Sequence, residues 1–325
     1  MKKLIAFAAL CSCIAVAAWF TSCNNNSTEK TSPETAKADS LAKAVERGDY
    51  LANHVAACIH CHSMRDFSKF SGPVVPGTEG GGGGVFDHNI LDAIPGTIFS
   101  RNITPDRETG IGAWTDEEVL RAITQGINKK GDTLFPIMPY AQYNRMAKED
   151  LLNIIAYLRT LKPINNKVPP RQLMIPISMA YPAQALQPSV DSNVRPPESD
   201  PVKYGEYLTG MADCVNCHTP IVKGQPDFPR MFAGGNTFNV PNFKVNSANI
   251  TPDSATGLGT WTEERFLNKF TLYREEKNYA INPGKKNTIM PLSDYAGMED
   301  KDLKAIYAYL KSLKPVSNKV EKYPR

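Results

Sequence analysis

Apolar positions recur at helical spacing in widely separated parts of the chain. Leu151, Ile154, Ile155 and Leu158 stripe one face of a segment spanning about 148 to 161, and Leu303, Ile306 and Leu310 do the same over about 300 to 313. Each pattern predicts an amphipathic helix. Thr115-Asp116-Glu117-Glu118 is a capping box, with Trp114 and Val119 placed as a hydrophobic staple and Val119, Ile123 and Ile127 on the face that follows. The same helix start recurs at Thr262, Glu263 and Glu264, where Arg265 replaces the reciprocating glutamate. No alternating strand pattern competes with these helices, so the expected fold class is all-α.

These resemblances belong to a tandem repeat. Gly48-Asp49-Tyr50-Leu51 recurs as Gly205-Glu206-Tyr207-Leu208, and Asn102-Ile103-Thr104-Pro105-Asp106 recurs as Asn249-Ile250-Thr251-Pro252-Asp253. The helix ends YLRTLKP (157 to 163) and YLKSLKP (309 to 315) match likewise. Two domains are therefore expected, at 46 to 165 and 201 to 325, joined by a connector at 166 to 200. Nine prolines between positions 163 and 201 make that connector an extended segment. Its apolar residues, among them Met174, Ile175, Ile177, Met179 and Tyr181, imply that it packs against a domain.

The N-terminus has a different pattern. Met1-Lys2-Lys3 is followed by an almost unbroken apolar run from 4 to 20, as in a secretory signal. A transmembrane anchor is the competing reading, but 17 residues rich in alanine is the lower limit for a span. Small residues precede Cys23, so a signal peptide at 1 to 22 and lipidation of Cys23 are expected. Cys13 would leave too short an apolar run. Residues 23 to 45 are polar and read as a flexible tether. These expectations place the protein in a bacterial cell envelope, exported and lipid-anchored, with its domains facing the periplasm.

Charge adds little. From 46 to 165 there are 12 basic and 14 acidic residues, and from 201 to 325 there are 17 and 13. The split suits an acidic protein partner for the second half, or is a solvated face, and nucleic acid is not an expected partner.

The chemistry is carried by cysteine and histidine. Cys58-Ile59-His60-Cys61-His62 returns 156 positions later as Cys214-Val215-Asn216-Cys217-His218. This C-x-x-C-H pattern is the attachment signature of c-type haem. Two thiols at that spacing can each form a thioether to one porphyrin, and the next histidine falls beneath the iron as its proximal ligand. A zinc ribbon would require both pairs to converge on one metal, and a redox dithiol would not require the histidine. Two haem c groups are expected, held by Cys58, Cys61, Cys214 and Cys217, with His62 and His218 as iron ligands.

Histidine is too scarce to supply the sixth ligands, because only His54, His60 and His88 remain, all in the first copy. Met138 and Met290 lie in matching Ile-Met-Pro segments, 76 and 72 residues after their histidines, and are the expected axial ligands. Met146 and Met298 also match but read as core. His60 reads as surface, His54 as hydrogen-bonded or exposed, and His88 as a loop residue with a minor chance of ligation. Asn102, Thr104 and Trp114, with Asn249, Thr251 and Trp261, could bond haem propionates, although Asn-x-Thr-Pro-Asp also suits a turn. Arg101 has only Ala248 as its counterpart. The five glycines from 80 to 84 read as a flexible surface loop, since no Gly-Lys-Ser or Gly-Lys-Thr follows.

Together, the first-helix Gly-x-Tyr-Leu, the haem motif, the methionine loop and the aromatic last helix resemble class I cytochrome c, twice over. The stretch Asn-Ile-Thr-Pro-Asp-x-x-Thr-Gly-[Ile/Leu]-Gly-x-Trp-Thr is similar to cytochrome c subunits of membrane-bound alcohol and gluconate dehydrogenases, which carry three haem motifs where this chain has two. The resemblance implies two helical domains, each around one covalent haem. It also implies a non-enzymatic electron carrier whose redox partners are a dehydrogenase, a quinol-oxidising complex or a terminal oxidase, with no small-molecule substrate. The alternatives are a haem enzyme, such as a dihaem peroxidase or sulfur-compound oxidoreductase, and a cytochrome subunit docked on a larger dehydrogenase.

Overall fold

The computed structural model of the chain describes residues 33–90, 94–177 and 189–324. The expected signal peptide and Cys23 lie outside them, as does the connector from 178 to 188. The first half runs α1 (Pro33–Tyr50), a π-helical turn (Leu51–Val55), α2 (Cys58–Cys61), β1 (Val85–Asp87), β2 (Gly96–Phe99), α3 (Asp116–Gln125), α4 (Tyr140–Tyr143) and α5 (Lys148–Leu158). After β3 (Gln172–Leu173), the second half runs α6 (Pro201–Met211), α7 (Cys214–His218), β4 (Ile221–Val222), β5 (Gln225–Pro226), β6 (Thr237–Val240) and β7 (Phe243–Asn246). It closes with α8 (Glu263–Thr271), α9 (Leu292–Tyr295) and α10 (Asp300–Ser312). No described helix is long and apolar enough to cross a membrane.

In each half the helix before the C-x-x-C-H segment packs on the closing helix, α1 on α5 and α6 on α10. The repeated glycine makes this approach possible. A Cβ at Gly48 would stand 1.9 Å from the Asn153 carbonyl oxygen, and one at Gly205 would stand 1.9 Å from that of Ala305. The capping box at Thr115 forms as its residues suggest, with Thr115 Oγ1 accepting from the Glu118 N–H and Glu118 Oε2 accepting from the Thr115 N–H. At Thr262 only the first of these bonds remains.

The all-α expectation is overturned. Antiparallel strands stand between the C-x-x-C-H and Asn-x-Thr segments of both halves, and β1, β2 and β3 form one sheet in that order. In the second half, β6 and β7 pair Phe238 with Val245 and Val240 with Phe243, all four buried. The reason is a period-two pattern too short to stand out. Phe238, Val240, Phe243 and Val245 alternate with polar residues around Pro241-Asn242, and Asn242 takes a left-handed φ of 81°.

The two halves pack on one another. One hydrophobic core runs through both halves, uniting Leu51, Leu151 and Ile155 with Tyr204, Leu208 and Leu303. Across it the repeated tyrosines are exchanged. Tyr50 Oη donates to Asp302 Oδ2 at 2.5 Å, and Tyr207 Oη donates to Asp150 Oδ2 at 2.7 Å. Both carboxylates are buried. Within the stretch read as a tether, α1 is helical from Pro33 onward. In the connector, Leu173 and Ile177 pack against Ile94, Ile98 and Phe135, while Met174 and Ile175 are exposed and Met179 and Tyr181 lie outside the described residues.

Candidate haem sites

Each C-x-x-C-H segment begins after a residue in the left-handed region, Ala57 at φ 48° and Asp213 at φ 53°. That reversal ends the preceding helix and lets the motif coil into its own short helix, α2 or α7. A left-handed non-glycine residue costs about 1 kcal/mol or more, so its use at both places points to a geometric requirement.

The histidines that end the motifs are oriented alike. His62 Nδ1 lies 2.7 Å from the Arg101 carbonyl oxygen, and His218 Nδ1 lies 2.7 Å from that of Ala248. A carbonyl only accepts, so Nδ1 carries the proton and Nε2 keeps its lone pair. Burial pushes both imidazoles below their ordinary pKa and keeps them neutral. A neutral histidine whose tautomer is fixed by a backbone carbonyl is the form that ligates iron. Arg101 and Ala248 occupy equivalent places, and the backbone carbonyl explains why the side chain there can differ.

None of the four described cysteines is joined in a disulfide. Burial pushes the Cys58 and Cys214 thiols up to about 12, away from the lowered range of redox dithiols. Among the described residues, no group of three or more His, Cys, Asp or Glu is arranged to hold a metal ion, so the pairs do not converge as a zinc ribbon would. Cysteines outside any disulfide, beside a neutral, oriented imidazole, fit covalent haem. After burial, its main cause, the rise of the Cys217 thiol comes from Asp213, Cys214 and, across the halves, Cys61.

Met138 and Met290 are both half-buried against the core, each followed by proline and a short helix, α4 or α9. Tyrosines the sequence did not single out tie those helices back to the start of the haem motifs. Tyr143 Oη donates to the Ala56 carbonyl at 3.2 Å and Tyr295 Oη donates to that of Ala212 at 2.7 Å. Met146 and Met298 are buried core residues, in keeping with their expected role.

Asn102 and Asn249 serve as clamps. Asn102 Oδ1 accepts from the Thr104 N–H and Oγ1, while its Nδ2 donates to Thr109 Oγ1 and the Ile164 carbonyl. Asn249 repeats this set with Thr251, Thr256 and the Val316 carbonyl. These bonds pin the chain leaving the last helix and occupy both amide N–H donors. Trp114 and Trp261, packed against the core, make no hydrogen bond through their indole N–H among the described residues. Arg101 turns to the Val168 and Pro169 carbonyls.

The glycine run is not a flexible surface loop. Gly80, Gly81 and Gly82 are buried, and the Gly82 N–H donates to the His62 carbonyl at 2.7 Å. Gly234 makes the same bond to His218 at 2.6 Å. The matching pairs Gly82-Gly83 and Gly234-Gly235 carried this signal, but the longer run around the first pair hid it.

His60 is also not at the surface. It is 2% exposed, with Nδ1 2.7 Å from Asp294 Oδ2 of the other half. A contact across the halves has no trace in the local sequence. His54 Nδ1 donates to the Asp294 carbonyl at 2.9 Å, and His88 is exposed in a turn.

Residues 202–314 match the cytochrome c family. The chain is 31% identical over 287 residues to the cytochrome c subunit of a quinone-dependent alcohol dehydrogenase of Gluconobacter oxydans, covering 84% of this chain and 55% of that one. It is 30% identical over 280 residues to the gluconate 2-dehydrogenase cytochrome c subunit of Pantoea cypripedii, covering 83% and 59%. It is 28% identical over 263 residues to a dihaem c-type cytochrome of Cereibacter sphaeroides, covering 78% and 81%. The chain thus spans little more than half the length of the dehydrogenase-associated relatives. Residues 202–314 thus carry a cytochrome c domain, which implies covalently bound haem c, and the chain as a whole is similar to cytochrome c subunits of dehydrogenases and to a dihaem cytochrome.

Proposed function

We propose that the protein carries single electrons through two haem c groups, each ligated by histidine and methionine, between a cell-envelope dehydrogenase and a downstream acceptor. The observation that carries this reading is the repeated orientation of His62 and His218 by backbone carbonyls, each in a half with its own methionine loop. When bound, the haems supply reversible one-electron chemistry between ferrous and ferric iron. The chain supplies the rest. Cys58, Cys61, Cys214 and Cys217 attach the groups, His62 and His218 present Nε2, and Met138 and Met290 present thioether sulfurs that favour the ferrous state.

Trp114 and Trp261 are the propionate donors in this reading, because Asn102 and Asn249 have spent their N–H groups. The packing of the two halves on one shared core supports transfer from one haem to the other. The dehydrogenase partner is supported by the relatives that are cytochrome subunits of such enzymes. A lipid on Cys23 would hold the protein at the membrane, within the envelope.

Mass spectrometry of the mature protein tests haem number, with two haems expected and one overturning the reading. Met138→Ala and Met290→Ala, made separately, should each halve the methionine-to-iron absorption band. Full intensity in either variant overturns that ligand. Purification from native membranes should bring a dehydrogenase along, and a chain that elutes alone argues for a free shuttle.

A further inference from the structure

The loop that carries Met290 is held by the other half of the molecule. Ser71 is fully buried and takes a left-handed φ of 70°. Its Oγ donates to the Met290 carbonyl at 2.6 Å and accepts from the Leu292 N–H at 2.8 Å, so one hydroxyl grips the backbone on both sides of Pro291. The Ser71 N–H donates to Asn287 Oδ1 at 2.9 Å, and Asn287 Nδ2 donates back to the Phe67 and Lys69 carbonyls, each at 3.0 Å. Arg65 Nη2 adds a bond to the Ile289 carbonyl at 3.3 Å. Residues 65 to 71 thus form a polar strap across the second methionine loop.

The relation is not reciprocal, although the tyrosine–aspartate exchange is. Phe135 and Pro136 stand where the second loop has Asn287 and Thr288. Phe135 and Ile137 are instead packed among Ile94, Ile98 and Leu173. The segment after His218, equivalent to the strap, forms the small β4–β5 hairpin. Among the described residues, the first methionine loop packs on apolar residues of its own half and of the connector, and the second is held by hydrogen bonds from the opposite half.

We propose that Ser71, together with Asn287, is a positioning residue for Met290, so that the first half of the chain sets the strength of methionine ligation in the second. This rests on the reading of Met290 as an axial ligand. A sulfur on a mobile loop must be ordered each time it meets the iron, whereas a loop fixed by buried hydrogen bonds has already lost that freedom.

The test uses the full-length holoprotein in a Met138→Ala background, where the remaining methionine band reports the second site alone. Ser71→Gly removes the hydroxyl while accepting the positive φ, and Asn287→Ala removes the other anchor. Each should let exogenous imidazole displace the methionine about tenfold more readily, as expected for the loss of a buried hydrogen bond, and should lower the potential of that haem. In a background with Met138 intact, imidazole binding at the first site should not change.

Unchanged imidazole affinity and potential in both variants overturn the strap. Equal changes at both haems also overturn it, because they signify general loosening. The parent variant Met290→Ala separates the two readings. If it keeps the band, the ligand assignment fails, and if it loses the band while Ser71→Gly and Asn287→Ala change nothing, only the positioning role fails.

Discussion

Gly82 shows how a single missing side chain supports the site. Its N–H bonds the His62 carbonyl, its φ is +75°, and a Cβ there would lie 2.7 Å from the Arg101 carbonyl carbon, the Asn102 nitrogen and the Ser100 oxygen. The backbone of His62 and the Asn-x-Thr turn close on one another only through a glycine. Gly82→Ala should therefore destabilise the holoprotein by about 2 to 3 kcal/mol, from left-handed strain and displaced backbone together, measured as a lower urea midpoint. Gly77, which a Cβ would leave free of contact but which also has positive φ, should cost only the strain. Asp302 acts at the same scale through its charge. Burial raises its carboxyl above the ordinary 3.8. Between 3.8 and the raised native value the unfolded chain binds fewer protons than the folded one, so this group makes stability fall as pH rises through that window. Asp302→Asn should flatten that part of the stability-against-pH curve, and an unchanged slope would count against the buried carboxyl as its source.

At the scale of elements, the helices and the strands owe their existence to different things. α5 and α10 are long enough for their apolar stripes to be read directly, and the glycines of α1 and α6 let each pair of helices close to backbone contact. The β6–β7 hairpin has only four residues per strand, and its alternation becomes decisive only because Phe67 of the first half, Ile289 and Tyr323 cover its apolar face. Phe243, whose ring centroid lies 5.8 Å from that of Phe67, links this hairpin to the strap. Phe243→Ala should cost about 3 to 4 kcal/mol, the usual range for a buried aromatic residue cut to alanine. Chemical denaturation monitored by tryptophan fluorescence checks the magnitude, and a cost below about 1 kcal/mol would show that the hairpin does not share the core's cooperativity.

At the scale of the whole molecule, the shared core and the exchanged Tyr50–Asp302 and Tyr207–Asp150 bonds bind the halves into one cooperative body. Urea unfolding followed at the haem band and by far-ultraviolet dichroism should give coincident single transitions, whereas two separated steps would contradict this. Tyr50→Phe and Tyr207→Phe should each lower stability by about 1 to 3 kcal/mol, because a buried carboxylate loses a donor that water cannot replace. The repeated motifs and the long helices were legible in the residues because each depends on spacing within one stretch of chain, where covalent geometry and helical period apply directly. The hairpins, the burial of His60, the clamp made by Asn102 and Asn249, and the strap from Ser71 were not. Each consists of groups far apart in sequence, as with Ser71 and Met290, and their partners are chosen by how the two halves pack. Local pattern specifies which side chains are available, but the desolvation that makes a buried hydroxyl or carboxylate matter exists only once the opposite half has excluded the water around it.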